Sequence, residues 1–443
     1  MLMHVFTVWL GGAYRVVISS YANFHKALIE NNKITSKRSD VGLPGWRKEI
    51  FAVRPGIARH ILWKDAKKAR QQTATFLNNE GMGRTVMEPH VLNEADKFIQ
   101  FFIEPRLESG EGLDTITPLS LAATNILVNT LTGNSYDYDD PKAHDHLNLI
   151  HEEHKHNVTF AASIPFTKWI PGDPFHSAEA ERNYSETFKK ILSNFDNIVA
   201  KRRRELQDGC SPNLMLDHML LQYRPELGDQ ERFDANVGSM IQQMYAGSTA
   251  SGSYLCWALL YLSVYPHMQE RLHNEIDEVI GEDSVPEYSL REKLPYADAF
   301  VLETFRHSEC IHVLSPRTTE SELVIDGQVL PAGVELMFNL DSVYNDPDIF
   351  DNVHEFNPER FLTGDVTKKK ACIEAAFGLG RRKCIAIPLG KMEVFLILLR
   401  IMQQFSVTYE GDTKPPLINM GGINSKPYPH RIVFTRRNKE IRK

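Results

Sequence analysis

Phe377-Gly-Leu-Gly-Arg-Arg-Lys-Cys384-Ile-Ala386 is the stretch on which the reading of this 443-residue chain turns. Gly378 and Gly380 allow a tight turn and a close backbone approach to a flat ligand. Cys384 follows Arg381, Arg382 and Lys383 and stands at the head of an apolar helical pattern over residues 389–405. Positive charge and a helix N-terminus both favour thiolate over thiol, so Cys384 is a candidate metal ligand or nucleophile. An isolated cysteine is ordinarily a small buried hydrophobe. The glycine pair and the basic run reverse that weighting here. A Cys-His nucleophile has no obvious partner, and Gly378-x-Gly380 lacks the strand-turn-helix surroundings of a nucleotide loop.

Outward from this segment, the chain is mostly helical in period. Residues 233–265 form a long, largely apolar run stopped by Pro266, the mark of a helix that crosses the core. Between residues 84 and 310 nearly everything has helical period, punctuated by Pro165, Pro171-Gly172, Pro174, Pro212 and Pro225. Residues 4–10 and 14–19 alternate around Gly11-Gly12 and predict a hairpin, followed by a helix from Tyr21 to Asn31. Residues 323–338 predict a second hairpin turning at Asp326-Gly327, and 406–410 and 431–436 predict late strands. The expected class is mainly α with small β-sheets near the two ends, without a Rossmann alternation.

Composition narrows the function. The chain is 42% hydrophobic and 24% charged, the make-up of a soluble globular protein. A net charge of −7 argues against a general nucleic-acid binder. Lys201-Arg-Arg-Arg204 and Lys368 to Lys370 read as exposed helix-end and loop charges. His151-Glu-Glu-His154-Lys-His156 lacks the i, i+4 histidines of a zinc helix and reads as a solvated face. Five cysteines, odd in number and never in a C-x-x-C pair, suit a reducing compartment better than a disulfide framework. Tyr254–Tyr265 and Val394–Leu399 are the longest apolar runs, well short of the roughly 20 residues that span a bilayer. The opening MLMHVFTVWLGG has no basic region or cleavage site of a signal peptide.

The cysteine segment resembles the haem-binding loop of the cytochromes P-450, F-x-x-G-x-R-x-C-x-G, with Phe377, Gly380, Arg382 and Cys384 in place and Ala386 for the last glycine. Glu303-Thr-Phe-Arg306 resembles the family's E-x-x-R pair, and Phe356-Asn-Pro-Glu-Arg360-Phe361 supplies the third member. The resemblance implies a buried triad of Glu303, Arg306 and Arg360 that fixes the haem loop. It implies Cys384 as the iron ligand and Phe377, Arg382 and Arg317 (in Ser315-Pro-Arg-Thr) as haem contacts. Trp63 and Lys67 resemble the W-x-x-x-R over one haem edge, with lysine as a point charge where the family has arginine's fork. Lys64, Lys67, Lys68 and Arg70 read either as a solvated face or as part of a redox-partner patch.

The implied protein is one large domain over 1–443, a triangular-prism helical core around haem b (iron protoporphyrin IX). Leu294-Pro-Tyr-Ala-Asp-Ala, Asn357-Pro-Glu-Arg-Phe-Leu and Gly390-Lys-Met-Glu393 are similar to the microsomal animal enzymes. That implies monooxygenation of an apolar small molecule of the xenobiotic, steroid or fatty-acid class. Electrons would come from NADPH through NADPH-cytochrome P-450 reductase, with cytochrome b5 as a further donor. It also implies peripheral contact with the cytosolic face of the endoplasmic reticulum membrane and no nucleic acid. Those relatives carry an N-terminal anchor and a Pro-rich hinge, and this chain begins where their first strand begins; the expectation is a removed anchor, an incomplete sequence or a member without one, soluble or truncated.

One segment departs from the pattern. Over the iron the family carries A-G-x-[DE]-T-[ST], and this chain reads Ala246-Gly247-Ser248-Thr249-Ala250-Ser251. Thr249 holds the acid position and Ala250 the threonine position. Successive helix residues point about 100° apart, so Thr249 replaces the missing alcohol only if the helix bulges. Ala246 and Gly247 leave room for oxygen or substrate, and Ser248 or Ser251 could relay a proton through water. By resemblance the substrate would meet Tyr245, Ala250, Val313 and Leu314. The expectation is a slow or substrate-assisted oxygenase. The rivals are a haem-thiolate isomerase or dehydratase of lipid peroxides and a non-catalytic haem-binding relative.

Overall fold

A computed structural model describes residues 4–10, 13–39, 45–54, 56, 63–133, 135–156, 177–281, 284–421 and 424–437. Alternation in the N-terminal stretch produces β1 (Val5–Leu10) and β2 (Ala13–Ile18), antiparallel from Val5↔Ile18 to Leu10↔Ala13. Gly11-Gly12, the expected turn, lies outside the described residues. Ser20 caps α1 (Tyr21–His25), which runs into one π-helical turn over Lys26–Glu30, and β3 (Lys37–Arg38) follows.

The helical middle comprises α2 (Gly45–Val53), α3 (Trp63–Asn79), α4 (Glu88–Phe98), α5 (Ile116–Thr132), α6 (Pro141–His156), α7 (Ser177–Gln207) and α8 (Met215–Leu220). The long apolar run becomes α9 (Gln230–Val264), N-capped by the Asp229 side chain on the Arg232 amide, and Pro266 opens α10 (Pro266–Val279). Then come α11 (Pro295–His307), β4 (Val313–Thr318), β5 (Leu323–Ile325), β6 (Gln328–Leu330), β7 (Glu335–Asn339), α12 (Leu340–Tyr344) and α13 (Val366–Glu374). The chain closes with α14 (Ile387–Gln404), β8 (Phe405–Tyr409) and β9 (Ile432–Arg436).

The expected hairpin over 323–338 is divided. β5 and β6 turn at Asp326 (φ 51°) and Gly327 (φ 73°), but β7 leaves them and pairs parallel with β2 and antiparallel with β4. The result is a five-stranded sheet, β1-β2-β7-β4-β3, which joins the N-terminal hairpin to strands more than 300 residues away in sequence. Local turn chemistry announces a hairpin and is silent about such long-range pairing.

One buried apolar cluster runs from Val5 to Phe434, with α9 at its centre: Tyr254 to Leu262 are all buried. At Gly252 an added Cβ would lie 2.6 Å from the Ser120 Cα, so α5 and α9 cross in near backbone contact there. α14 also packs on α9, which brings the segment after Cys384 against the central helix. None of the described helices is long and apolar enough to cross a membrane.

The two basic runs are exposed as expected at Lys201, Arg204, Lys368 and Lys370, while their other members are held by partners. In Lys201 to Arg204, Arg202 is gripped by Asp217 (2.6 and 2.7 Å), and Arg203 pairs with Asp234. Lys368 to Lys370 sit on α13, where the Lys369 Nζ donates to the Arg360 carbonyl (3.0 Å) and Lys370 pairs with Asp298 (2.8 Å). The side chains of His151 to His156 lie outside the described residues.

Candidate active site

The Cys384 segment is a tight loop between the single helical turn Ala375–Phe377 and α14. The Gly378 amide donates to the Ala375 carbonyl (2.8 Å), Lys383 to Gly380 (3.1 Å) and Cys384 back to Phe377 (2.7 Å). Gly378 and Gly380 have φ of 78° and 68°, in the left-handed region. Gly380 faces a second constraint, because a Cβ there would collide with the Leu28 carbonyl of the π-turn. The loop is therefore seated on the N-terminal part of the chain by backbone contact. The Phe377 ring meets Phe305 edge-on at 5.9 Å.

Cys384 is exposed. Crowding by protein nevertheless pushes its thiol pKa up, against the opposing pull of the Ala386 amide, Arg70 and Lys383. The expected preference for thiolate is thus reversed for the protein's own groups. A cation at the sulfur would restore it, because a coordinating thiol loses its proton.

Among the described residues, Arg38, Arg70, Arg317 and Arg382 bring guanidinium groups to the loop. Arg317 and Arg382 are buried, and Arg38 and Arg70 are half-buried. Burial, then the charges of Arg382 and Arg70, depress Arg317 to about 9. Arg38 is lowered by burial and by the charges of Arg317, Arg382 and Arg70. Arg317 Nη1 donates to the Ser315 carbonyl (2.5 Å), Arg382 Nε to the Ser36 carbonyl (3.0 Å), and Arg70 to the Lys383 carbonyl. The acceptors named here are neutral carbonyls, and the lowered pKa values of Arg38 and Arg317 register burial and the like charges gathered around the loop. A flat dianion beside Cys384, such as a porphyrin with two propionates, fits this donor set.

Arg38 was not singled out by the sequence, and Arg70 was assigned to a solvated face or partner patch. β3 pairs with β4 in the register Arg38↔Arg317, which puts the two guanidinium-bearing residues opposite each other, and no local motif encodes that. Lys67 is exposed and forms no ion pair among the described residues; Arg70, one turn later on α3, reaches the loop instead. The Trp63 side chain lies outside the described residues.

The Glu303, Arg306 and Arg360 triad is assembled and buried. Glu303 accepts from Arg306 Nε and Nη2 (2.8 Å each), Arg360 Nε (3.0 Å) and the Asn357 amide (2.9 Å). Arg306 also donates to the carbonyls of Tyr344, Val353 and Glu355, and Arg360 to those of Asp351, Asn352 and Glu355. Two side chains thereby organise the irregular segment 344–355.

Across α9, the structure separates the predicted residues. Ala246 and Ala250 are half-buried and Gly247 is exposed, with nothing within 4 Å of its Cβ position. Thr249 is fully buried, donating to the Ala246 carbonyl (2.9 Å) and accepting from Asn424 (3.2 Å). Ser251 donates to Glu393 of α14 (2.5 Å), and Ser248 bonds Thr124 (2.9 Å) and the Tyr245 carbonyl (2.7 Å). The helix is α-helical throughout, so no bulge swings Thr249 towards Gly247. Tyr245 is likewise turned into the core, edge-on to Tyr136 and Phe195, rather than onto the open face with Ala246. Leu314 is buried at the start of β4, and Val313 beside it is exposed. Burial raises Glu393 to about 8, partly offset by Ser251.

This fold, cysteine loop and arginine set define the class of haem-thiolate proteins. The chain belongs to the cytochrome P450 family: the family model "Cytochrome P450" matches residues 1–434. It is similar to cytochrome P450 2U1 of Mus musculus, 28% identical over 450 residues that span 98% of this chain and 81% of the mouse protein. Cytochrome P450 2F3 of Capra hircus is 28% identical over 98% of this chain and 87% of its own length. Cytochrome P450 2D1 of Rattus norvegicus is 26% identical over 97% and 84%. The chain is accordingly a P450 monooxygenase, and its cofactor is haem iron.

Proposed function

We propose that this chain, folded as one catalytic domain, oxygenates an apolar small molecule of the xenobiotic, steroid or fatty-acid class. The observation that carries the proposal is the set of mutually repelling guanidinium groups beside Cys384. Haem b held through the Cys384 sulfur supplies the activation of dioxygen. Arg38, Arg70, Arg317 and Arg382 neutralise its two carboxylates, and the triad keeps the cysteine loop in register through the 344–355 segment. Ala246, Gly247 and Ala250 form a small, apolar face that admits oxygen and a hydrocarbon substrate, with exposed Val313 as a further substrate contact. Thr249 and Ser251 spend their hydroxyls inside the protein, so proton supply to that face depends on water or substrate. Slow or substrate-assisted turnover follows.

Electrons come from NADPH through a flavoprotein reductase, with cytochrome b5 as a further donor. Exposed Lys67, Lys68 and Lys383 offer an acidic partner a docking face on the Cys384 side. The apolar side chains Trp9, Tyr14, Val324 and Val329 are exposed on the two hairpins, which Gln328 links to β1 at the Val5 carbonyl. That patch supports peripheral contact with the endoplasmic reticulum membrane.

The test is a carbon monoxide difference spectrum of the reduced protein. Wild type shows the signature of thiolate ligation, and Cys384→Ser loses it. An unchanged spectrum in the variant ends the assignment. Spectral shifts on adding steroids, fatty acids and drug-like molecules then sort the substrate class.

A further inference from the structure

A second donor cluster lies away from Cys384, where α11 turns into β4. Glu309, His312 and Asp341 each offer one ligand atom, and the three atoms lie within 4.8 Å of one another. His312 Nδ1 stands 3.1 Å from both Asp341 oxygens. The Glu309 carboxylate is aimed by two carboxamides, Asn345 (2.9 Å to Oε1) and Asn419 (3.3 Å to Oε2). The backbone around the cluster is pinned as well: Leu340 donates to the His312 carbonyl and Ser425 to that of Cys310, both at 2.8 Å.

Two observations point to a cation. Neither Glu309 nor Asp341 has a lysine or arginine partner among the described residues, whereas Glu303, Asp217 and Glu335 each have one. On the inner side, the Tyr344 hydroxyl is fully buried without a hydrogen-bond partner, and its pKa is raised by burial and then by Asp341, Cys310 and Glu309. Both carboxylates thus lie near enough to a buried, unpartnered oxygen to raise its pKa.

We propose that Glu309, His312 and Asp341 bind one divalent cation of the zinc class. One imidazole nitrogen with two carboxylate oxygens suits zinc, cobalt or nickel, and the nitrogen disfavours calcium and magnesium. Hydrogen bonds from Asn345 and Asn419 fix the Glu309 carboxylate, the supporting role that outer partners play in metal sites. Protonation of His312, which Asp341 favours, competes with the metal, so affinity falls with falling pH. Glu309 and Asp341 are the charged groups facing the imidazole from the turn and from α12. His312 immediately precedes Val313, so a bound cation braces the start of β4.

The experiment is titration of the purified holoprotein with zinc chloride by calorimetry at pH 7.5, repeated with cobalt to read its ligand-field spectrum. One equivalent binds to wild type, and calcium does not compete. His312→Ala and Asp341→Asn each weaken that event by at least about tenfold, while Glu309→Gln provides a third variant if either fails to fold. The carbon monoxide signature of each variant stays as in wild type, which separates this site from the Cys384 centre. Absence of binding in wild type, or zinc affinity unchanged in all folded variants, overturns the proposal; the latter assigns the metal to other surface histidines.

Discussion

Replacing Glu303 with alanine removes the one carboxylate that two buried arginines share. Four hydrogen bonds end on it: two from Arg306, one from Arg360 and one from the Asn357 amide, all between 2.8 and 3.0 Å. Breaking a buried ion pair by deleting one partner costs about 3–5 kcal/mol, because the surviving charge remains desolvated. Here both guanidinium groups keep their carbonyl acceptors from residues 344–355, which softens the loss. The expected cost is therefore at the lower end, about 3–4 kcal/mol, or roughly a hundredfold to nearly a thousandfold in the folding equilibrium. Urea titration of the holoprotein reads this as a lowered midpoint at constant slope, with loss of the thiolate-type carbon monoxide spectrum at the same urea concentration. Lys370→Ala, which breaks the more exposed Lys370–Asp298 pair, is the control and costs no more than about 1 kcal/mol. If Glu303→Ala matched that control, the triad would not organise the segment as described. Replacing all three members by apolar residues offers no rescue, since it orphans the carbonyls that the arginines satisfy.

Gly380→Ala places a methyl group against the Leu28 carbonyl at a residue with φ of 68°, so the variant loses haem retention on gel filtration, with a stability loss above about 1 kcal/mol. Ala250→Thr restores an alcohol to the open face of α9 and raises the fraction of NADPH electrons that reach product, measured against peroxide formed; an unchanged ratio counts against the account of α9. Glu393 makes the third case. Its folded pKa of about 8 lies above the ordinary carboxylate value, so the native state holds a proton that the unfolded chain releases. Stability therefore falls as pH rises from the unfolded pKa to about 8, by a few kcal/mol at most, and is flat beyond. Glu393→Gln, which stays neutral and still faces Ser251, flattens the thermal midpoint across that window; a parallel slope in both proteins would contradict a buried, protonated Glu393.

Much of the site was legible because it is local. The cysteine loop, the E-x-x-R pair and the Pro-stopped central helix are short patterns whose geometry follows from spacing, and the structure assembles each of them. What escaped is what depends on distant pairing. β7 leaves its apparent hairpin for β2, Arg38 meets Arg317 only through β3–β4 register, and Arg70 faces the loop only because α3 packs there. Tyr245 resembles a pocket residue by position, yet its neighbours Tyr136 and Phe195 come from outside α9 and draw it into the core. Cys384 illustrates the competition of magnitudes. Three basic neighbours in sequence argue for thiolate, and desolvation in the fold outweighs them.

The two sides of the central helix therefore carry different fates for the same chemistry. Towards α14 and the triad, the polar groups named above are engaged: Ser251 with Glu393, Thr249 with Asn424, Glu303 with two arginines. Towards the open face, Ala246, Gly247 and Ala250 offer no hydroxyl or acid. On the proposed function, interactions that retain the cofactor lie on the first side, and Ala246, Gly247 and Ala250 bring no proton-delivering group to the second. Cofactor retention and coupling should then vary independently. Changes at Glu303 or Gly380 lower the amount of loaded protein without altering the electrons spent per product in what remains, and changes at Ala250 do the reverse. A correlated loss of both across such variants would mean that α9 transmits the state of the cysteine loop to its open face.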